Sequence, residues 1–351
     1  MNFNSDNVHG VDDAVLDALG RANAGTARAY GYDDLTVAAE ARLGELFERD
    51  VEAYLVVTGT AANALALSAC CQPWDAVVCH AEAHVMTDEC GAPELVSGGA
   101  RLMGVPGPGC KLTPDAVTAM LATLGRGEHE HRPRALSLSQ STELGTIYSV
   151  AEVAALAACA HDRGMRVHMD GARFANALVR LDVTPATLTW RAGVDVLSFG
   201  LTKNGAMGVE AVVFFDHGLA HDFRFRRKRA GQLVSKGRFL AAQVLALLED
   251  DRWRKNARHA NAMADRLAAA LRPLPGVRLP LPVEANAVFA IVPDALHAHL
   301  QGHGVRYLVW PGAGPGTDVV RPGETFIRLL TSFRTTPAEV DGLVGLATAA
   351  A

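Results

Sequence analysis

The stretch LSFGLTKNGAMGVEAVVFF, which runs from Leu197 to Phe215, contains two apolar, strand-like runs joined by a short polar and glycine-rich turn. Lys203 lies in that turn among apolar neighbours, and no acidic residue is nearer to it in sequence than Glu210. The turn is too short for a crossover helix, so the second run is predicted to lie antiparallel to the first. The stretch therefore predicts a strand reversal within a sheet and a lysine at the end of a strand.

Upstream of this stretch, strand-like runs alternate with longer alanine- and leucine-rich segments of helical composition and spacing. The predicted strands, including the two above, are residues 53–57, 76–80, 100–105, 134–139, 165–170, 194–200 and 210–216. Strands that alternate with helices build a mainly parallel sheet covered on both faces. The predicted fold class is therefore α/β, with one antiparallel strand in the sheet.

The remainder of the chain has a pattern of its own. A long helical pattern begins near Gly231 and ends at a proline-rich break; strand-like runs, a short helix at 293–302 and a final helix from Thr336 follow. This arrangement is typical of a small α/β module. The predicted domains are an N-terminal arm with a large domain, residues 1–245, and a small C-terminal domain, residues 246–351.

The composition excludes several classes of protein. The chain has 351 residues, 49% hydrophobic and 20% charged, so it can form a substantial core and is not disordered. A formal charge of -5, with a basic run only at FRFRRKR (223–229), argues against a nucleic-acid partner; that run is interpreted as a solvated helix start. The cysteines form no CxxC pair, so no metal site is predicted. No membrane-spanning run and no signal segment is found, so the expected location is the cytoplasm.

Polar residues follow predicted strands at their carboxyl ends, where ligands bind in open α/β sheets. Thr58–Gly59–Thr60 follows the run 53–57 and opens a helix, so its N–H groups form a cradle for an anion. A helix N-cap explains the threonines equally well. The chain lacks P-loop and dinucleotide-binding motifs, and its glycine-rich GVPGPG (104–109) and PGAGPG (311–316) are typical of ordinary loops.

Asp170 and Lys203 follow two successive predicted strands. A carboxylate at the end of a buried strand needs a cation or a donor, although Asp170 is also suited to be the N-cap of the next helix. A lysine desolvated among apolar residues has its pKa lowered from about 10.4, which suits Schiff-base chemistry; the alternative is a lysine that snorkels from a turn. With the anion cradle, these residues are the parts needed to hold pyridoxal phosphate, and His84 is placed to cover the cofactor ring.

Four motifs resemble one enzyme family. TGTAAN (58–63), HMDGARFANAL (168–178), FGLTKNG (199–205) and RKRAGQLVSKGRF (227–239) look like those of the low-specificity L-threonine aldolases, within the aspartate-aminotransferase-like (fold type I) enzymes. The resemblance extends from FNSDN near the N-terminus to FIRLLTSF. It implies a fold type I large domain with a small C-terminal domain, pyridoxal 5'-phosphate as cofactor and an amino-acid substrate. It also implies a homo-oligomer, a dimer or commonly a tetramer, with active sites shared between subunits.

The resemblance also implies a role for each matched position. The implied cofactor contacts are Lys203 as the covalent attachment point with Thr202 beside it, Asp170 on the pyridine nitrogen, Arg173 close by, His84 over the ring, and Thr58, Gly59, Thr60 and Lys228 on the phosphate, with Lys236 a weaker candidate. The implied substrate contacts are Arg173, Arg328 and Ser5 on the carboxylate, and Tyr30 and Tyr32 from the neighbouring subunit.

Glu143, in STELGT, departs from the family pattern, because many members carry a histidine at the aligned position. That histidine is linked to the β-hydroxyl group of the substrate, so the replacement leaves the side-chain preference open. The carboxylate of Glu143 is suited to accept a proton directly or through water, and the alternative is a glutamate on a solvated turn.

The implied reaction is retro-aldol cleavage of L-threonine or L-allo-threonine to glycine and acetaldehyde. His84, or a water that it shares with Glu143, is expected to take the β-hydroxyl proton. Two alternatives remain open from the sequence: a β-eliminating lyase or racemase that uses the same cofactor, and a catalytically silent binding protein with this fold.

Overall fold

The computed structural model describes residues 1–311 and 319–350, so most of the PGAGPG segment lies outside the described residues. The strands are β1 (Glu52–Val56), β2 (Asp75–His80), β3 (Arg101–Val105), β4 (Arg132–Ser139), β5 (Arg166–Gly171), β6 (Val196–Gly200), β7 (Glu210–Phe214), β8 (Ala287–Pro293), β9 (Leu308–Val309) and β10 (Glu324–Leu330). The helices are α1 (Asp13–Ala22), α2 (Asp34–Leu46), α3 (Gly59–Cys70), α4 (His84–Thr87), α5 (Ala92–Ser97), α6 (Pro114–Leu121), α7 (Val150–His161), α8 (Phe174–Leu181), α9 (Pro185–Leu188), α10 (His217–Ala220), α11 (Phe223–Arg229), α12 (Arg238–Leu248), α13 (Arg252–Leu271), α14 (Asp294–Gly302) and α15 (Pro337–Ala349).

The first seven strands form one sheet in the order β1-β7-β6-β5-β4-β2-β3. Strand β7 is antiparallel to both of its neighbours, while β3, β2, β4, β5 and β6 pair in parallel. Strands β2, β6 and β7 are buried along their whole length, as expected where helices cover both faces of a sheet. The prediction of a mainly parallel sheet with one antiparallel strand is confirmed.

The topology brings the ends of many strands to one edge of this sheet. The carboxyl ends of β2, β4, β5 and β6 meet there because these strands are parallel. The antiparallel β7 starts at the same edge, where Glu210 pairs with Gly200 of β6 and with Val56 of β1. The loops after these strands therefore share one crevice, which is where open α/β sheets bind ligands.

Two glycines allow the loop after β5 to approach the turn after β6. A Cβ atom on Gly200 would lie 2.6 Å from the Cα of Ala172, and one on Gly171 would lie 2.7 Å from the carbonyl oxygen of Ser198. Either contact is shorter than van der Waals packing allows, so a larger residue at these positions would push the two segments apart. The close approach places the segment after Asp170 beside the turn that carries Lys203.

The second sheet has the order β8-β10-β9 and packs with α13, α14 and α15 around a separate apolar cluster. Helix α15 begins at a capping box of Thr336 and Glu339, with Pro337 in the first turn, so the predicted final helix is confirmed. The N-terminal segment lies against this module, because Leu330 N–H donates to Phe3 O at 2.8 Å. The predicted domain boundary near residue 245 stays a prediction.

The helical segment between the two sheets differs from its prediction. FRFRRKR forms the separate helix α11, and the next helix begins only at Arg238. A second break follows α12, because Asp250 and Asp251 have φ angles of 50° and 58°, which a right-handed helix does not accommodate. The single long helical pattern was therefore wrong: left-handed residues divide it. Within residues 1–311 and 319–350, no helix is both long and apolar enough to cross a lipid bilayer.

Candidate active site

Lys203 lies in a 3₁₀ turn, Thr202–Asn204, directly after β6. The carboxylate of Glu210, the first residue of β7, accepts the Leu201 N–H at 2.6 Å and the Thr202 N–H at 3.5 Å. Gly205 ends the turn at a φ of 122°, a backbone conformation that residues other than glycine rarely adopt. The strand reversal therefore builds the turn, and the turn presents Lys203 at the carboxyl edge of the sheet.

The amine of Lys203 has no hydrogen-bond or ion-pair partner among residues 1–311 and 319–350. Its pKa is lowered first by the positive charge of Arg173 and then by burial, while Asp6, Asp170 and Glu210 oppose the shift. The apolar enclosure predicted from the sequence is thus only the second cause, because a neighbouring guanidinium contributes more. Both effects favour the neutral, nucleophilic amine.

Asp170 lies at the carboxyl end of β5 and is buried. Its Oδ1 accepts the Ala172 N–H at 3.0 Å, and its Oδ2 accepts from Asn63 Nδ2 of α3 at 2.9 Å. Asp170 is not the N-cap of the next helix, because that position belongs to Arg173. A buried carboxylate with lone pairs to spare is suited to bind a protonated ring nitrogen.

His84 begins the short helix α4 and links two carboxylates to this site. Its Nδ1 lies 2.9 Å from Oε1 of Glu89, and its backbone N–H donates to Oε1 of Glu143 at 2.8 Å. The same Glu143 oxygen accepts from Ser139 Oγ at the end of β4, at 2.9 Å. The loops after β2 and β4 are therefore joined through one glutamate.

Glu143 does not lie on a solvated turn. Its Oε2 is buried and has no partner among the described residues, and burial raises the pKa of its carboxyl group. A buried acceptor without a partner costs free energy unless a ligand or water satisfies it. The orphaned oxygen therefore marks Glu143 as a group available for an added molecule.

Arg173 is engaged by a carboxylate that was not predicted. Its Nε donates to Asp6 Oδ2 at 2.9 Å and its Nη2 donates to Asp6 Oδ1 at 2.7 Å. Asn286, from the small module, adds a third donor to Asp6 Oδ2 at 2.9 Å. Burial alone would raise the pKa of Asp6, but the charge and hydrogen bonds of Arg173 hold it well below its usual range. Asp6 thus fixes one edge of the guanidinium and leaves Nη1 without an acceptor among the described residues.

Replacing Asp6 with asparagine is expected to lower the free energy of unfolding by on the order of 3 kcal/mol, because it leaves the buried Arg173 without its counter-charge. The matched control is Asp341→Asn, since Asp341 also binds an arginine through two hydrogen bonds, from Arg266, but on the surface. That exposed pair is expected to contribute less than about 1 kcal/mol. Urea denaturation of both variants at neutral pH checks this. Equal losses would show that burial of the Asp6 pair has no special effect.

Arg328 reaches the same region from β10. Its guanidinium lies 4.7 Å from the ring centroid of Trp310, and its Nε is buried without a partner among the described residues. Its pKa is lowered to about 10, first by burial and then by the charge of Arg173, so the two guanidinium groups are close enough to interact. Ser5 is the N-cap of the turn that carries Asp6, where its Oγ accepts from Asn7 N–H. An anion between the arginines would relieve their repulsion.

The anion cradle lies at the start of α3, one turn before Asn63. Thr58 is the N-cap, and its Oγ1 accepts the Ala61 N–H at 3.1 Å, so the N-cap interpretation of this threonine is confirmed. The N–H groups of Gly59 and Thr60 have no acceptor in the described part of the chain. Apart from the neighbouring residues in the chain and the backbone of α3 itself, no described atom lies within 4 Å of a Cβ built on Gly59, which leaves room for an anion.

Three residues predicted for the site do not contact the site residues described above: Lys228, Tyr30 and Tyr32. The amine of Lys228 lies 5.3 Å from the ring centroid of Tyr30, and Tyr32 is 64% exposed. In the chain as described, none of the three forms a hydrogen bond or ion pair with those site residues. The side chain of Lys236 likewise contributes no such contact. The hydroxyl group of Thr202 donates a hydrogen bond to the backbone oxygen of Val209.

Four residues of the site were missed from the sequence: Asp6, Asn63, Glu89 and Glu210. Each stands inside or beside a stretch that was singled out, namely FNSDN, TGTAAN, the segment after His84, and the opening stretch. Asn63 follows Thr60 by almost one helical turn, a spacing that places both at the same end of α3. That spacing was a usable signal, whereas nothing local indicates that Asp6 pairs with Arg173.

Comparisons with known proteins show which family this chain is similar to. The model of the beta-eliminating lyase family matches residues 2–295. The low specificity L-threonine aldolase of Pseudomonas sp. (strain NCIMB 10558) is 45% identical over 312 residues, which cover 89% of this chain and 90% of that protein. The protein of the same name from Pseudomonas aeruginosa matches with the same identity and coverage. A solved threonine aldolase of Leishmania major has a TM-score of 0.91 and 30% identity, over 99% of this chain and 98% of that one.

Proposed function

The chain belongs to the beta-eliminating lyase family, and from that premise we propose that it is a pyridoxal-phosphate-dependent aldolase. Its substrates are L-threonine, L-allo-threonine and related β-hydroxy-α-amino acids, which it cleaves at the Cα–Cβ bond to glycine and an aldehyde. Two relatives that are 45% identical over nine-tenths of their length are named low specificity L-threonine aldolases. The observation in the structure that carries the proposal is the buried amine of Lys203, which has no partner in the described chain and lies within electrostatic reach of Arg173 and Asp170.

The residues present fit pyridoxal 5'-phosphate. The free N–H groups of Gly59 and Thr60 suit its phosphate, and Asp170 suits its ring nitrogen. The amine of Lys203 suits its aldehyde, and His84 lies close enough to Asp170 for the two charges to interact. When bound, this cofactor supplies an electron sink for the charge that develops at Cα as the bond to Cβ breaks.

The two arginines hold the substrate in our proposal. Arg328 is free of any carboxylate in the described chain, and Arg173 has an unused Nη1, so a substrate carboxylate can bind both. A guanidinium is suited to this task because it binds carboxylates through paired hydrogen bonds. Two fixed contacts on one carboxylate restrict the rotation of the substrate, and this restriction aligns the Cα–Cβ bond for cleavage. Ser5, beside Asp6, is placed to add a third contact.

The base that takes the β-hydroxyl proton is Glu143 or His84 in this proposal. Replacing Glu143 with glutamine is expected to lower kcat on the order of 10²-fold, because the amide keeps the contacts with His84 and Ser139 but cannot take a proton. The control is Glu284→Gln. Like Glu143, Glu284 accepts a backbone N–H, that of Ile147, but it does not bind His84 or Ser139. Steady-state rates of glycine formation measure both. A Glu143→Gln enzyme as fast as wild type would assign the proton transfer to His84 alone.

Incubation with L-threonine, L-allo-threonine and their D-enantiomers tests the activity directly. Glycine and acetaldehyde in equal amounts, from the L-substrates, are the expected products. Ammonia with an oxo acid would instead show β-elimination, and the appearance of the other enantiomer would show racemisation. A protein that binds the cofactor but releases no product from any of these amino acids would be a binding protein.

We also propose that the protein is a cytoplasmic homo-oligomer, a dimer or tetramer, with residues shared between sites. Tyr30, Tyr32 and Phe225 support this, since these aromatic side chains are 45%, 64% and 63% exposed. Large exposed aromatic side chains are enriched where proteins meet. Lys228, stacked on Tyr30, would reach the phosphate of a neighbouring subunit. Light scattering in solution measures the mass of the assembly, and a mass of one chain would contradict the proposal.

A further inference from the structure

Glu89 is a buried carboxylate that joins two residues of the site. It is 4% exposed, and its Oε1 lies 2.9 Å from both His84 Nδ1 and Asn63 Nδ2. Its Oε2 is buried without a partner among residues 1–311 and 319–350. One oxygen therefore makes both contacts.

The shared oxygen fixes the tautomer of His84. Asn63 Nδ2 can only donate, so Oε1 of Glu89 acts as an acceptor. An oxygen that accepts from Asn63 also accepts from His84, which places a proton on Nδ1 of the imidazole ring. The other ring nitrogen, Nε2, has no partner in the described chain, so it is the atom left to exchange a proton.

Asn63 extends the chain of contacts to the cofactor end of the site. Its Nδ2 carries two hydrogens, of which one is donated to Glu89 Oε1 and the other to Asp170 Oδ2, both at 2.9 Å. A continuous row of three hydrogen bonds thus runs from His84 through Glu89 and Asn63 to Asp170. The amide also separates two buried carboxylates that would otherwise repel each other.

The charges along this row affect one another. The hydrogen bond to Glu89 is the first cause that raises the pKa of His84; burial and Lys203 oppose it, and Asp170 adds to it. Burial is the first cause that raises the pKa of Glu89, and Asp170 raises it further. Glu143 contributes a carboxylate near His84 through the backbone N–H of that residue.

We propose that Glu89 and Asn63 are positioning residues: Glu89 accepts the Nδ1–H of His84, and Asn63 connects Glu89 to Asp170. A positive charge bound at Asp170 then causes a charged His84 to release the proton on Nε2 to water. The inference rests on the proposed function for the identity of that charge, the protonated ring nitrogen of the cofactor. Once Asp170 is neutralised by such a partner, it no longer stabilises a charged imidazole. Cofactor binding thereby prepares His84 as a base, and by linkage the neutral histidine strengthens cofactor binding.

The reactivity of His84 towards diethyl pyrocarbonate tests the inference without any measurement of turnover. This reagent modifies neutral imidazole, so the pH midpoint of the reaction reports the protonation of His84, read by mass spectrometry of the peptide that contains it. Wild-type protein is measured with and without pyridoxal 5'-phosphate. The variants are Glu89→Gln, which keeps an acceptor oxygen but removes the charge, and Asn63→Leu, which removes both donors. Glu94→Gln is the matched control, because Glu94 also has a buried oxygen without a partner but does not bind His84.

In the apoprotein, Glu89→Gln is expected to lower the midpoint of His84 by about one pH unit, while Glu94→Gln leaves it unchanged. In wild type, the cofactor is expected to lower the midpoint, and Asn63→Leu is expected to reduce that change.

An unchanged midpoint in Glu89→Gln, or an identical wild-type midpoint with and without bound cofactor, would overturn the inference. If both shifts are observed but the wild type forms no glycine from L-threonine, the proposed reaction fails and the positioning role stands. If no cofactor binds, the proposed function fails, and the apoprotein comparison still decides the role of Glu89.

Discussion

Replacing Lys203 with alanine is expected to lower the rate of glycine formation by about 10³-fold or more, which is the scale of loss when an enzyme loses its nucleophile. The amine of Lys203 forms no hydrogen bond or ion pair in the described chain. The fold therefore does not depend on this amine. The charge of Arg173 even lowers the pKa of Lys203, which means that the two cations repel each other. The alanine variant is therefore expected to be at least as resistant to thermal unfolding as the wild type.

Two further variants separate the amine from its charge. Lys203→Arg keeps a positive charge but stays protonated, so it is expected to be as inactive as the alanine variant. Lys255→Ala is the control, because Lys255 is exposed on α13 and lies outside the site. Borohydride reduction of the wild type with its cofactor, followed by peptide mapping, is expected to label the peptide that contains Lys203. A label on another lysine, or wild-type turnover in Lys203→Ala, would refute the assignment.

The position of Lys203 could be predicted because the evidence for it is local. A strand, a glycine-containing turn and a second strand within nineteen residues of sequence leave few places for the lysine other than the carboxyl edge of the sheet. Asp170 was predictable for the same reason, since it ends a buried strand. In both cases the hydrophobic pattern defines the strand, and the polar residue that follows is placed by the end of the strand.

The partners of these residues could not be predicted, because they are distant in sequence. Asp6 and Arg173 are 167 residues apart, and Asn286, which also binds Asp6, is 280 residues away. Neither contact has a periodic or local signature, since each depends on how the N-terminal segment and the small module pack on the large sheet. The cause of the lowered pKa of Lys203 was misjudged for this reason. Apolar neighbours in sequence indicated burial, but the larger influence comes from an arginine on the neighbouring loop.

The region around the two arginines has more cations than carboxylates that pair with them. Arg173 lies within electrostatic reach of both Lys203 and Arg328, and within the described residues Asp6 is the carboxylate that pairs directly with a cation of this group. Close cations repel strongly when they are removed from water. Neutralisation of Lys203 relieves part of this repulsion, and an incoming carboxylate relieves the rest. The same arrangement therefore favours both a nucleophilic lysine and an amino-acid substrate.

Replacing Asp170 with asparagine is expected to weaken cofactor binding by roughly 10- to 100-fold, because a charge-assisted hydrogen bond contributes about 1.5–3 kcal/mol. It is also expected to lower kcat on the order of 10²–10³-fold, since a neutral amide cannot keep the ring nitrogen protonated while charge develops in the substrate. The dissociation constant is measured by titrating the apoprotein with pyridoxal 5'-phosphate, and kcat is measured at saturating cofactor. A loss that disappears when the cofactor is saturating would restrict Asp170 to cofactor binding.

The asparagine variant also disturbs the protein itself, and this effect has to be separated from the chemistry. Oδ1 and Oδ2 of Asp170 both accept hydrogen bonds, from Ala172 N–H and from Asn63. An asparagine has one acceptor oxygen, so one of these donors would face an NH₂ group, at a cost of about 1–3 kcal/mol. Asp195→Asn is the control, because Asp195 likewise accepts a backbone N–H of β5, from Val167, but not at the carboxyl end where Asp170 lies. Both variants are expected to unfold at lower urea concentrations, and only Asp170→Asn is expected to lose cofactor affinity. Equal loss of affinity in the two variants would mean that sheet stability, rather than the charge at Asp170, controls the binding of the cofactor.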